Sequence, residues 1–284
     1  MTTLTTTSKP VRRITLSTVL LYAALCIGAV VVIYPFFYMV INSLKTGREI
    51  LNSPAALPTS VSLAGYQGVF DKLNVLRMFL NSVFLAGSIT LLNTFLSALA
   101  GYAFAKIPFP GRNQIFGFML MTMMIPSVLF LIPTYVLMYN IGWVGNFAAL
   151  IVPSAVSVFN IFLIRQFMTG IPNELVEAAR IDGAGEISIF LRVILPLVRP
   201  ALATVAILTF MGSWNDFFGP LLYLNRPEQW TLQLGLLQFR GTVPGENAEQ
   251  IWALTTLITL PIVVVYVFLQ EQFVKAFANV SLSK

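Results

Sequence analysis

Histidine is absent from this 284-residue chain, cysteine occurs once, at Cys26, and only 10% of the residues are charged. Without histidine there is no Ser-His-Asp triad and no zinc centre of the Cys/His kind, and a lone cysteine closes no disulfide within the chain. No Gly-x-x-x-x-Gly-Lys-Ser/Thr loop occurs, so the chain shows no nucleotide-hydrolysing site of its own. Cys26 sits among apolar neighbours, which assigns it to packing. No catalytic residue, no metal and no cofactor of its own are expected.

What is abundant is apolar. Such residues make up 57% of the chain, and the mean hydropathy is +0.82. That leaves too little polar surface for a water-soluble globule of this length and places the chain in a bilayer. The net charge of +6 does not point to nucleic acid, because the basic residues lie in short connections and form no aromatic-laced patch. The membrane surface accounts for them.

A bilayer core of about 30 Å takes about 20 helical residues. Six segments meet that demand, at 19–41, 78–105, 115–139, 147–164, 201–224 and 251–272. The predicted fold is an all-α membrane protein with a tail at 1–18, a six-helix domain at 19–277 and a tail at 278–284. Residues 113–164 carry no charge and are too long for one span, and "NIGWVGN" at 140–146 supplies the turn of a hairpin. Lys9, Arg12 and Arg13 precede the first span as in a signal peptide. Its run of about 23 apolar residues with no small-x-small site after it reads as a retained helix. Placing the N-terminus in the cytoplasm puts eleven Lys and Arg inside and six outside, so both termini are cytoplasmic.

Pro35, Pro126, Pro133, Pro220 and Pro261 fall inside the spans, where each bends its helix or frees a carbonyl. In the second span Ser82, Ala86, Ile89, Asn93, Ser97 and Gly101 follow a 3–4 spacing. They form a stripe that faces protein, either as the wall of a path or as a packing face. Asp216 is the one acid well inside a span. It lies roughly 23 Å along a helix starting at Ala201, near the outer mouth, where "SWNDFFGP" marks a bend. Trp214, Asn215 and Asp216, with Asn93, are the candidate pathway or gate residues; a solvated or helix-paired Asp216 is the plainer alternative.

One polar island interrupts the apolar runs. "ELVEAARIDGAGEISIFLRVILP", residues 174–196, carries four acids and two arginines. Asn173 suits a helix start, Glu174 and Glu177 favour the positive end of its dipole, and Gly183 or Gly185 stops it. A second segment follows with Ile187, Phe190, Leu191 and Ile194 spaced for one apolar face. An anionic-lipid surface favours Lys and Arg, so four acids and one Arg in 174–186 argue for a protein partner.

Glu177-Ala178-Ala179, then Gly183, then Val193-Ile194-Leu195-Pro196 resembles the EAA loop of ABC importer permeases, with Val193 where that pattern usually has Ile. With "INSLKT", "FLNS", "GYAFAKIPFPGR" and "WNDFFGPLL", nearly the whole chain is similar to the smaller permease of maltose-type carbohydrate importers. The chain departs from that pattern at "FANVSLSK", where many relatives carry a Gly-rich basic tail.

The resemblance implies a permease in a prokaryotic inner membrane, paired with a homologous second permease. Two ATPase subunits would bind ATP and Mg below it, and an extracytoplasmic sugar-binding protein would deliver a sugar or related polyol from above. It implies that the coupling loop 173–196 docks in an ATPase cleft, with Glu174, Glu177, Ala178, Ala179, Asp182 and Gly183 as its contact and turning residues. It also implies that the outer loop 225–250 reaches the binding protein through Trp230, Phe239 and Gly241. Two other classes stay open: an ion-coupled secondary transporter, for which only Asp216 is available, and an intramembrane enzyme, which a lone Asp without His serves poorly. A reporter fused after Ala184 is expected to be active only if it is of the cytoplasmic kind; activity of an external reporter there overturns the orientation.

Overall fold

The computed structural model describes residues 15–241 and 245–281, with side chains through residue 268. Lys9, Arg12, Arg13 and Lys284 lie outside the described residues, as do the side chains of Glu271 and Lys275. No strand occurs among the described residues. With no water in a bilayer core, the backbone must bond to itself, and helices do so within one segment.

The elements run as α1 (Leu16–Ser43), α2 (Gly47–Asn52), α3 (Ala64–Lys72), α4 (Val75–Lys106), α5 (Arg112–Thr122), α6 (Leu131–Asn140), α7 (Ala148–Ser154) and α8 (Val158–Thr169). Then come α9 (Asn173–Ile181), α10 (Glu186–Ile189), α11 (Leu195–Leu197), α12 (Arg199–Trp214), α13 (Phe218–Tyr223), α14 (Leu232–Gly235) and α15 (Ala248–Ser281). Among the described residues four segments are long and apolar enough to cross a membrane unaided, and two sharply bent pairs raise the number to six.

Those bends revise the straight spans read from hydropathy. The third is broken between Arg112–Thr122 and Ser127–Asn140, at 89°. Pro126 lacks the N–H that would continue the ladder and disfavours helical backbone at Ile125. The fifth begins at an 82° turn between Glu186–Leu197 and α12, where Pro200 cannot donate to Pro196. It stops at Trp214 rather than running to residue 224, because Asn215–Phe217 break the helix before α13. The fourth extends to Thr169 and is interrupted at residues 155–157, just after Pro153. Pro35 and Pro261, by contrast, lie within continuous helices.

α4 is the central post, packing chiefly against α8 and α12. Its stripe of Ser82, Ala86, Ile89, Asn93, Ser97 and Gly101 is buried at every position, while Phe84, Leu91, Leu92 and Phe95 point outward. α15 packs against α1, α3 and α12. α1 is apolar on all sides and buries only Asn42 and Ser43, near its end. Beyond that end the fully buried Lys45 donates through Nζ to Asn42 Oδ1 at 3.2 Å, Ser53 O at 3.1 Å and Pro54 O at 3.0 Å, so its charge is held by acceptors alone. The expected hairpin turn forms between α6 and α7, with Gly142 and Gly145 at φ of 73° and 86°.

The tightest α4–α8 approach is at Gly101, where a Cβ would stand 3.0 Å from Ile164 Cγ2 and 3.2 Å from the backbone N of Arg165. Gly101→Leu is expected to destabilise the purified protein by about 1–3 kcal/mol in thermal unfolding, as overpacking does. Leu91→Ala on the outward face is the comparison expected to change it little.

Candidate functional site

α9 stands at one end of the bundle. Glu174 lies in its first turn and Arg180 in its last, each matching the sign of the dipole there. The helix ends in a Schellman cap: Ala184 N donates to Ala179 O at 2.9 Å and Gly183 N to Arg180 O at 3.0 Å. That cap requires left-handed backbone at Gly183, whose φ is 82°. Of the residues assigned to coupling, Glu174, Glu177, Ala178, Asp182 and Gly183 are exposed and Ala179 is half-buried. Leu175 and Ile181 are also exposed, the latter at 86%, so the free surface of the helix is apolar as well as acidic. Only Val176 is buried, anchoring α9 to the bundle.

Two side chains of α4 fasten this helix, one at its start and one through Glu186 of α10. Lys106, at the end of α4, donates through Nζ to Ile171 O and to Asn173 Oδ1 at 2.8 Å. The Tyr102 hydroxyl donates to Glu186 Oε2 at 2.7 Å, and Glu186 Oε1 in turn accepts from Arg180 Nε at 2.7 Å. Tyr102 and then Arg180 hold the Glu186 carboxyl below its ordinary value, against a partial burial that would raise it.

The segment after the cap departs from the expected face. Ile189, Phe190 and Ile194 are buried, whereas Ile187 and Leu191 are exposed. A π-helical turn at Phe190–Ile194 adds a residue to the turn and rotates the apolar face away from α-helical spacing.

The candidate pathway residues separate into two pairs. Asn93 and Asp216 share a cavity of about 420 Å³ between α4, α8 and α12. Trp214 does not line it; its ring packs with Phe79 and Phe210, and Nε1 donates to Ile258 O at 3.0 Å, fixing α12 to α15. Asn215 points elsewhere as well, with Nδ2 donating to Met211 O at 2.9 Å. The cavity instead adds Asn160, which donates to Asn93 Oδ1 at 2.6 Å and Thr209 Oγ1 at 3.0 Å. Asn160 was discernible as a lone amide in an uncharged span, and Asn93 as one of two in the second span. Thr209 and Ser213 carry no such mark.

The loop 225–250, expected on the outer side, is packed down onto the bundle where it is described. Asn81 Nδ2 donates to Glu228 O at 2.9 Å and Trp230 O at 3.0 Å, and Leu232 N donates to Ser82 Oγ at 3.0 Å. Phe239 is fully buried beneath the Lys72 ammonium and Trp230 is half-buried, so Phe239 supports the loop from within and offers no contact surface. Gly241 is exposed. Residues 242–244 of the loop lie outside the described residues.

Residues 93–279 match the family described as the binding-protein-dependent transport system inner membrane component. The chain is 33% identical over 250 residues to the arabinooligosaccharides transport system permease protein AraQ of Halalkalibacterium halodurans, covering 87% of this chain and 89% of that one. It is 35% identical to Protein LplC of Bacillus subtilis, covering 88% of each. It is 31% identical to the maltodextrin transport system permease protein MdxG of Bacillus subtilis, covering 89% and 91%. Its fold is similar to a chain of a bacterial ABC transporter that imports the acidic polysaccharide alginate, with a TM-score of 0.80 at 23% identity over 94% of this chain and all of that one. The chain therefore belongs to the inner-membrane permeases of ABC importers, a multi-pass class, and the ion-coupled carrier is set aside.

Glu186 is held below its ordinary value, so its bonds stabilise the fold fully above the unfolded carboxyl pKa of about 4.3 and are lost as pH falls through the lower folded value. Tyr102→Phe is expected to cost about 1 kcal/mol at pH 7, because Glu186 is partly exposed. The difference from wild type in thermal unfolding should vanish in acid; a loss equal at both pH values refutes the ionic contact.

Proposed function

We propose that this chain is one of two homologous permease subunits of an ATP-driven importer for a sugar or related polyol, with both termini and α9 in the cytoplasm. In this reading the six-helix domain forms half of the translocation pathway, and two separate ATPase subunits bind ATP and Mg. An extracytoplasmic binding protein docks on the opposite face, where the half-buried Trp230 and the exposed Gly241 are the contact residues that remain.

The observation that carries the reading is the exposed acidic and apolar surface of α9, closed by the Gly183 cap and fastened to α4. A short helix with Glu174, Glu177 and Asp182 on its free surface suits a protein cleft bearing a basic residue. Ala178 allows close approach, and the α4 fastening makes α9 a rod that passes motion to the bundle. The carbohydrate class is supported by the relatives' arabinooligosaccharide and maltodextrin substrates.

Glu177→Lys reverses the docking charge, and Gly183→Val places a β-branched residue in left-handed backbone, a strain of about 1–3 kcal/mol. Each is expected to lower sugar uptake and binding-protein-stimulated ATP hydrolysis at least about tenfold, the equivalent of about 1.4 kcal/mol, while the protein stays inserted. Normal transport by both variants sinks the coupling assignment.

A further inference from the structure

The cavity between α4, α8 and α12 is not used by the docking helix. Its volume of about 420 Å³ falls in the range of about 300–1,000 Å³ typical of small-ligand sites. The amides of Asn93 and Asn160, the hydroxyls of Thr209 and Ser213 and the carboxylate of Asp216 line it, and no Lys or Arg is among its lining residues. At Gly212 an added Cβ would meet nothing within 4 Å, so open space lies beside these groups.

Three features specify what fits. Asn160 Nδ2 is engaged by Asn93 and Thr209, which fixes the amide network before any ligand arrives. Ser213 Oγ is buried with no hydrogen-bond partner. Asp216 accepts from Gly219 N at 3.1 Å and forms no salt bridge among the described residues. An aliphatic ligand would leave Ser213 unpaired, and an anion would meet Asp216 without a compensating cation. An uncharged polyhydroxyl ring donates to Asp216, bonds Ser213, and lays its C–H face against the half-exposed ring of Phe159.

We propose that this cavity is a subsite for one neutral saccharide unit and that Asp216 disfavours uronate units there. The inference rests on the sugar-importer reading and deepens it by naming, from the charge of this lining, the class of saccharide unit it accepts.

The test uses the complete transporter with its partner subunits, in detergent so that both faces are reachable. Cys26→Ser removes the one native thiol, and Gly212→Cys places a probe in the cavity. A neutral oligosaccharide is expected to slow thiol labelling at position 212 by at least about fivefold, about 1 kcal/mol, whereas a uronate oligosaccharide of equal length leaves it unchanged. Asp216→Asn should narrow that difference, and Leu91→Cys on the outward face should show no protection. Equal protection by the uronate, or none by the neutral sugar in a complex that imports it, overturns the subsite alone. Absence of any ATP-driven saccharide import by the wild-type complex overturns the sugar-importer reading and the subsite with it. If Gly212→Cys does not assemble, the neutral-to-uronate import ratio of Asp216→Asn decides: a fall of about tenfold supports the subsite and an unchanged ratio refutes it.

Discussion

A helix interrupted inside a bilayer must satisfy its freed backbone groups within the protein, since no water is at hand. Two interruptions border one cavity here, at residues 155–157 and 215–217. The Ser154 carbonyl at the end of α7 accepts from Asn93 Nδ2 at 2.8 Å. Ser157 accepts from Asn160 N to start α8, and Asp216 accepts from Gly219 N at the start of α13. The groups that repair the breaks are the groups that line the cavity. Asn160 then bridges Asn93 and Thr209, so α4, α8 and α12 are joined through one amide.

α4 links this polar centre to the end of the bundle where α9 lies. Asn93, Tyr102 and Lys106 lie on one continuous helix, the first two about 13 Å apart along its axis at 1.5 Å per residue. Tyr102 holds Glu186 and Lys106 holds Asn173, on either side of α9. α9 is tied to α4 by these short polar contacts and by buried Val176, Ile189 and Ile194, which share one packed cluster with Ala98 and Tyr102.

Much of this was legible in residue order. The spans follow from apolar runs, the α4 stripe from its 3–4 spacing, and the Gly183 cap from a glycine after a periodic segment. What escaped was set by partners distant in sequence. Tyr102 and Glu186 are 84 positions apart and Asn93 and Asn160 are 67 apart, so no local pattern joins them. Trp214 and Phe239 were read as working residues because they stand in suggestive neighbourhoods, but large rings gain more from burial than from exposure, and both are core. The π turn at Phe190–Ile194 defeated the face assignment in the opposite way, by altering the period on which it depended.

Asp216 shows how a break changes the meaning of a single charge. On an unbroken helix it would be an isolated carboxylate in the membrane, a charge that costs about 2.5–3.5 kcal/mol at a helix centre on insertion scales and less toward the membrane face. With α12 ended at Trp214, the same residue receives a backbone N–H from the next helix and borders a polar cavity instead of lipid. The bond lowers the cost of keeping a carboxylate there. The cavity in turn leaves the carboxylate reachable, because Gly212, one turn before it, contributes no side chain to fill the space. Structural support and availability to a ligand thus arise from the same interruption, and the sequence around Asp216 has to preserve the break for either to persist.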